Sequence, residues 1–221
     1  MAKIEFPKDK VDVKPAVSKA GMRKRIFAII KLALGLALLP FVYSVTISFL
    51  GQFGLIEKSL QNYFWAGVLS FLLVYLFVWE PAKIYAKGQR ILEVIFQFFA
   101  PLVKVAPYVL PIYFVLIATA FLLLSLAIKS KEFISYSISL FGASLALHLV
   151  FSAKSIRGKQ EDFLKANYIF GFSLVYIINL TLLAFFLNLI FEEFSFVVFC
   201  NKTFRTGADI FYAIFKQLFM Q

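Results

Sequence analysis

From residue 26 to residue 50 the chain runs for twenty-five residues with a single charge, Lys31. Such a run has few ways to fold. About 20 predominantly apolar residues in a helix cross the roughly 30 Å hydrocarbon core of a bilayer, whereas a helix on a soluble surface shows a polar face. Four more runs follow, near residues 63–79, 105–128, 133–153 and 166–191. Together they take up most of the 221 residues and leave no room for a second folded domain. Only 16% of the chain is charged, against about a quarter in a soluble domain. The expected fold class is all-α integral membrane, with about five transmembrane helices and two interfacial amphipathic helices.

Charge then orients the spans. Residues 1–25 hold eight Lys/Arg, three acids and two prolines, and read as a basic, disordered tail that includes Arg23, Lys24 and Arg25. The tail is too long for a secretory leader, and 26–50 ends without a small-residue cleavage site. The segments between runs carry one Lys/Arg (Lys58), then four, two and four, and the C-terminal segment three. Alternate segments sum to sixteen against six, which places the N-terminus in the cytoplasm and the C-terminus outside. The net charge of +11 is therefore spread over tail and connectors, where it meets anionic headgroups of the bilayer rather than nucleic acid.

Two segments have a polar side. In 82–104, Lys83, Lys87, Arg90, Gln97 and Lys104 recur at three, four or seven residues among apolar neighbours, the pattern of a helix on the cytoplasmic face broken near Pro101. In 192–221, Phe204, Ala208, Phe211, Phe215 and Leu218 oppose Arg205, Asp209, Tyr212 and Lys216. This segment too is expected to lie in the interface. Pro40 falls inside the first run, where it is expected to kink a helix.

Residues for chemistry are scarce. A zinc protease needs two histidines one helical turn apart and a glutamate to activate water; this chain has one histidine, His148, and one cysteine, Cys200. No phosphate-binding loop or nucleophile elbow is present, and no cofactor or metal site is implied. His148 and Asn179 lie inside apolar runs, where a polar side chain is either hydrogen-bonded to a neighbouring helix or functional. Ser144 and Ser152, four residues either side of His148 on the same helical face, are the one nucleophile–base arrangement on offer.

Three stretches carry a resemblance. Trp79-Glu80-Pro81-Ala82-Lys83-Ile84-Tyr85, with Gly88, resembles the run leading into the G-H-E-x-x-H motif of a bacterial group of site-2-protease-like integral membrane metallopeptidases. Ala106-Pro107-Tyr108-Val109-Leu110-Pro111-Ile112-Tyr113 is similar to the A-P-Y-x-x-P-x-Y segment of that group. Leu145-Ala146-Leu147-His148-Leu149-Val150-Phe151, followed by Gln160, Asp162 and the run around Asn179, completes a similarity covering roughly 75–190. The zinc motif itself is lost: Gln89, Arg90 and Glu93 stand where the group has histidine, glutamate and histidine. A guanidinium cannot accept a proton and repels a divalent cation. The resemblance thus implies a pseudoprotease of the bacterial cytoplasmic (inner) membrane, a scaffold or binding protein with a membrane-protein partner. Read as the polar edge of an interfacial helix, Gln89, Arg90 and Glu93 need no such ancestry. The alternative function is a small transporter or channel subunit.

Overall fold

The computed structural model of the chain describes residues 19–78, 81–157 and 168–219, with the backbone alone at 19–25, 28 and 100–104. Among the described residues there are eight helices and no strand: α1 (Lys19–Phe53), α2 (Lys58–Phe77), α3 (Ala82–Ile95), α4 (Ala100–Val109), α5 (Ile112–Leu124), α6 (Lys131–Arg157), α7 (Tyr168–Ile190) and α8 (Phe196–Phe219). Four of them, α1 from Ile29 onward, α2, α6 and α7, are long and apolar enough to cross a membrane. The α1 helix continues through Pro40. It also starts earlier than the sequence suggests, so that Arg23, Lys24 and Arg25 belong to its first turns and not to the tail. The rest of the expected tail, 1–18, and Asp162 lie outside the described residues.

The run expected as one span over 105–128 is two pieces. The α4 helix stops at Val109 and α5 begins at Ile112, because Pro111 has no N–H to offer the carbonyl of Pro107 and its ring blocks the preceding turn. The 13-residue α5 is about 20 Å long, short of a bilayer's core. The amphipathic helix expected over 82–104 likewise ends at Ile95, and Pro101 sits in the first turn of α4, where a missing N–H costs nothing.

The α2 and α6 helices run parallel, from the Tyr63–Tyr136 ring contact at one end to Tyr75–Phe151 at the other. They touch backbone to backbone. A Cβ on Gly67 would overlap the carbonyl of Ser139, and one on Gly142 the carbonyl of Phe64. Only glycine lets two helices approach that closely. Phenylalanines fill the adjoining space. Phe114 and Phe141 pack edge to face at 5.4 Å, and Phe49, Phe53 and Phe64 continue the aromatic core across α1 and α2.

On the other side α1 runs parallel to α7, with Gly35 against the backbone of Phe170 and Thr46 hydrogen-bonded to Tyr176 at 2.9 Å. The α8 helix, expected in the interface, folds back antiparallel along α1. Gln52 accepts the N–H of Ser195 at 2.9 Å, Gly207 lies against Phe41 and Ser44, and Phe211 packs on Phe41 at 5.7 Å. The side that α1 covers is that of Phe199 and Gly207, while Phe204, Phe215 and Leu218 of the expected apolar face stay exposed. Asn188, at the end of α7, caps the start of α8 by accepting the N–H of Phe196 at 2.9 Å.

The α1 and α2 helices meet near their shared loop, where Phe53 packs on Phe64 and Trp65. Beside that contact a cleft of about 240 Å³ opens between them, walled by Thr46, Leu50 and Trp65 and floored by Leu145, Leu149 and Leu180.

Candidate polar site at the helix break

Where a helix stops, its last carbonyls lose their donors. At the end of α4 Pro111 stops the helix, and the N–H of Ile112, which a continued helix would give to Tyr108 O, turns to Leu110 at 3.0 Å. The carbonyls of Tyr108 and Val109 are left to be satisfied inside an apolar assembly, and unpaired they are costly.

Polar side chains of α6 and α7 meet them. Ser152 donates to the carbonyl of Tyr108 at 3.0 Å, and Asn179 Nδ2 donates to the carbonyl of Val109 at 2.9 Å while also holding Val175 O at 2.7 Å. His148 lies 3.2 Å from Ser152 through Nε2. From α3, the hydroxyl of Tyr85 reaches Ser152 at 3.0 Å, with its ring 5.9 Å from the imidazole. Burial pushes the Tyr85 phenol up to about 12, so it stays a donor at neutral pH. Ser152 and Asn179 are 0% exposed and His148 is 4% exposed.

The α3 helix is held here by fit. A Cβ on Gly88 would come within 2.8 Å of both Ile112 and Tyr113, and Tyr113 donates its hydroxyl to the carbonyl of Ile84. The three stretches that carry the resemblance therefore converge, with Tyr85 and Gly88, Tyr108 to Tyr113, and His148 all in contact.

Of the residues singled out in the sequence, His148 and Asn179 enter the cluster, and Gln89 borders it beside the Tyr85 hydroxyl. The amide nitrogen of Gln89 is buried without a partner. Arg90 and Glu93 are exposed on the other side of α3, as are Lys83 and Lys87, so Gln89, Arg90 and Glu93 do not point at one place. Among the described residues no three His, Cys, Asp or Glu side chains converge as metal ligands. Of the two candidate serines, Ser152 pairs with His148, while Ser144 bonds back to Phe141 O at 3.0 Å.

Sequence reading missed the role of Tyr85 and of the two carbonyls. Pro111 in an apolar run was the signal for the carbonyls, since a helix that stops before it leaves the carbonyls of its last turn without donors.

Ser152 and His148 have the contact distance of a nucleophile and its base. Their setting differs from a reactive site. The one hydroxyl proton of Ser152 is shared between Tyr108 O and the imidazole, and Tyr85 fills the remaining side of the oxygen. What this arrangement does chemically is close the end of α4 with donors from two other helices, α6 and α7, with Tyr85 of α3 bonded to Ser152 behind them. The chain matches no family model, no curated protein and no solved structure.

Proposed function

We propose that this chain is an integral membrane protein without catalytic activity, a scaffold or binding protein that holds a membrane-protein partner. The observation that carries the reading is the use already made of the cluster. Tyr85, His148 and Ser152, three interior side chains of the kinds that serve as acid, base or nucleophile, are bonded to one another and to the end of α4, with Ser152 0% exposed. Hydrolysis needs substrate and water within hydrogen-bond reach of those atoms. The replaced motif positions Gln89, Arg90 and Glu93 support the pseudoprotease form of this reading.

Membrane residence is supported by the four long apolar helices and by α3. On that helix Tyr85, Gly88 and Leu92 face the other helices, Ile91 and Ile95 are exposed to one side, and Lys83, Lys87 and Arg90 form a basic strip. A helix in the interface meets lipid tails and anionic headgroups in that order. With α8 returned along α1, the loops opposite the N-terminus keep only Lys58, Lys129 and Lys131, a charge contrast that supports the proposed cytoplasmic N-terminus. The C-terminus then lies on the cytoplasmic side, in place of the extracytoplasmic position that five spans require. A bacterial inner membrane rests on the resemblance alone.

Zinc analysis of the purified protein, with labelling by a serine-reactive fluorophosphonate, tests the reading. No stoichiometric zinc and no label on Ser152 are expected. Zinc bound one per chain and lost in Glu93→Ala or His148→Ala, or a labelled Ser152, would overturn it.

One observation favours transport instead: the interrupted helix α4–α5, a form that recurs at transporter binding sites. A saturable solute flux in proteoliposomes that Asn179→Ala abolishes would put that reading first.

A further inference from the structure

The side of α8 turned away from α1 carries exposed charges. Asn201, Arg205, Asp209, Tyr212 and Lys216 follow one another at four, four, three and four residues, and all five are exposed. Phe199 and Gly207 sit on the opposite, buried side.

Their depth can be read from α1. Gly207 lies against Phe41, and Phe41 is the midpoint of the apolar stretch Ile29–Phe53. Arg205 and Asp209 are two residues either side of Gly207, so both stand within about a turn of mid-span. Lys202 is close to Gly51 near the loop end of α1, and Lys216 lies about two turns beyond Asp209. Each lysine can therefore extend to a headgroup layer. Arg205 and Asp209 have no such exit, and ionised side chains at that depth call for a partner. Pairing with each other along the helix is the weak solution, because a cation four residues ahead of an anion is the less favourable order.

We propose that this face of α8 is the seam of a homodimer in the membrane, with Arg205 of each copy paired to Asp209 of the other. The proposal rests on the membrane reading above. Copies inserted in the same direction are related by a two-fold axis along the membrane normal, so their α8 helices run parallel. In a parallel pair a long side chain on one helix reaches a position about one turn further along its neighbour. That offset brings the Arg205 guanidinium to the partner's Asp209, and symmetry repeats the pair. Opposite charges at complementary positions on one surface are what a second copy of this chain supplies.

The test uses the full chain in proteoliposomes, with Cys200→Ser as background. Oxidation is expected to trap a covalent dimer through Tyr212→Cys at the seam and none through Leu73→Cys, an exposed position on α2. Energy transfer between labelled copies should show that Arg205→Asp or Asp209→Arg alone weakens association by about tenfold or more, because each sets like charges together. The double variant Arg205→Asp with Asp209→Arg should recover it, which a misfolded chain would not. A wild-type chain that stays monomeric overturns the proposal, as does a dimer indifferent to both single reversals. So does a monomer whose α8 is held by an acidic helix of another protein or by anionic lipid. Release of the chain from membranes by alkaline carbonate is a different result, and it sinks the membrane reading itself.

Discussion

Ser152 stands 3.0 Å from the carbonyl of Tyr108, so a side chain of α6 finishes the hydrogen bonding of α4. Asn179 does the same for Val109 from α7. The break between α4 and α5 is thus held open by two neighbouring helices, and it can be tested by removing either the break or its donors.

Asn179→Ala leaves Val109 O short of a donor and is expected to lower stability by about 1–2 kcal/mol. Pro111→Ala restores an N–H at the break and lets α4 and α5 approach a continuous helix. In that background the cost of Asn179→Ala should shrink. A double-mutant cycle on thermal unfolding in detergent measures the coupling, and strictly additive losses would mean that Asn179 does not serve the break.

Gly142→Ala pushes a methyl group into the carbonyl of Phe64. Neither backbone can yield locally, so a loss of about 2 kcal/mol or more is expected, together with a weaker α2–α6 contact. Gly54→Ala, on an exposed loop residue, is the control, and comparison of their melting temperatures decides the matter.

The Tyr85 phenol, raised to about 12 by burial, predicts a sign for alkaline stability. A folded pKa above the ordinary value near 10 favours the folded state fully at lower pH, and the benefit drains away as pH rises from about 10 to about 12. Tyr85→Phe removes the hydrogen bond to Ser152 and is expected to lower stability by about 1 kcal/mol at pH 7. It should also flatten the loss between pH 10 and 12. Melting curves over that window, wild type against variant, separate the two effects.

Ser48 and Thr203 have hydroxyls buried without a hydrogen-bond partner. Replacing them with Ala and Val respectively removes an unpaid desolvation and is expected to raise stability by about 1 kcal/mol each. A drop in melting temperature for both would show that the hydroxyls are satisfied in the membrane.

How much of this was legible in the sequence depends on what each element answers to. Helices α1, α2, α6 and α7 were readable because hydropathy over twenty residues decides them. The α4–α5 break was not, because a hydropathy run counts side chains, and the break comes from one missing backbone donor at Pro111. His148 and Asn179 stood out as polar residues in apolar runs, but the acceptors of Asn179 are carbonyls, which every residue has and no pattern marks. On α3 the basic strip was visible, whereas the burial of Tyr85 depends on Gly88 fitting against Tyr113, a contact across twenty-five residues. On α8 the apolar face read from the pattern stays exposed at Phe204, Phe215 and Leu218, and the side of Phe199 and Gly207 that meets α1 was not marked by it.

The contact of Gly67 with Ser139 and of Gly142 with Phe64 also sets what can move. Two peptide planes meet there, and a peptide plane has no rotamers with which to absorb a shift. The α2 and α6 helices therefore behave as one bar. Any breathing of the molecule is sent elsewhere, to the cleft beside α1, whose walls of leucine and tryptophan can slide past one another at little cost. A molecule that binds between α1 and α2 would pry against a fixed beam, and it is α1, with α7 and α8 attached, that would swing.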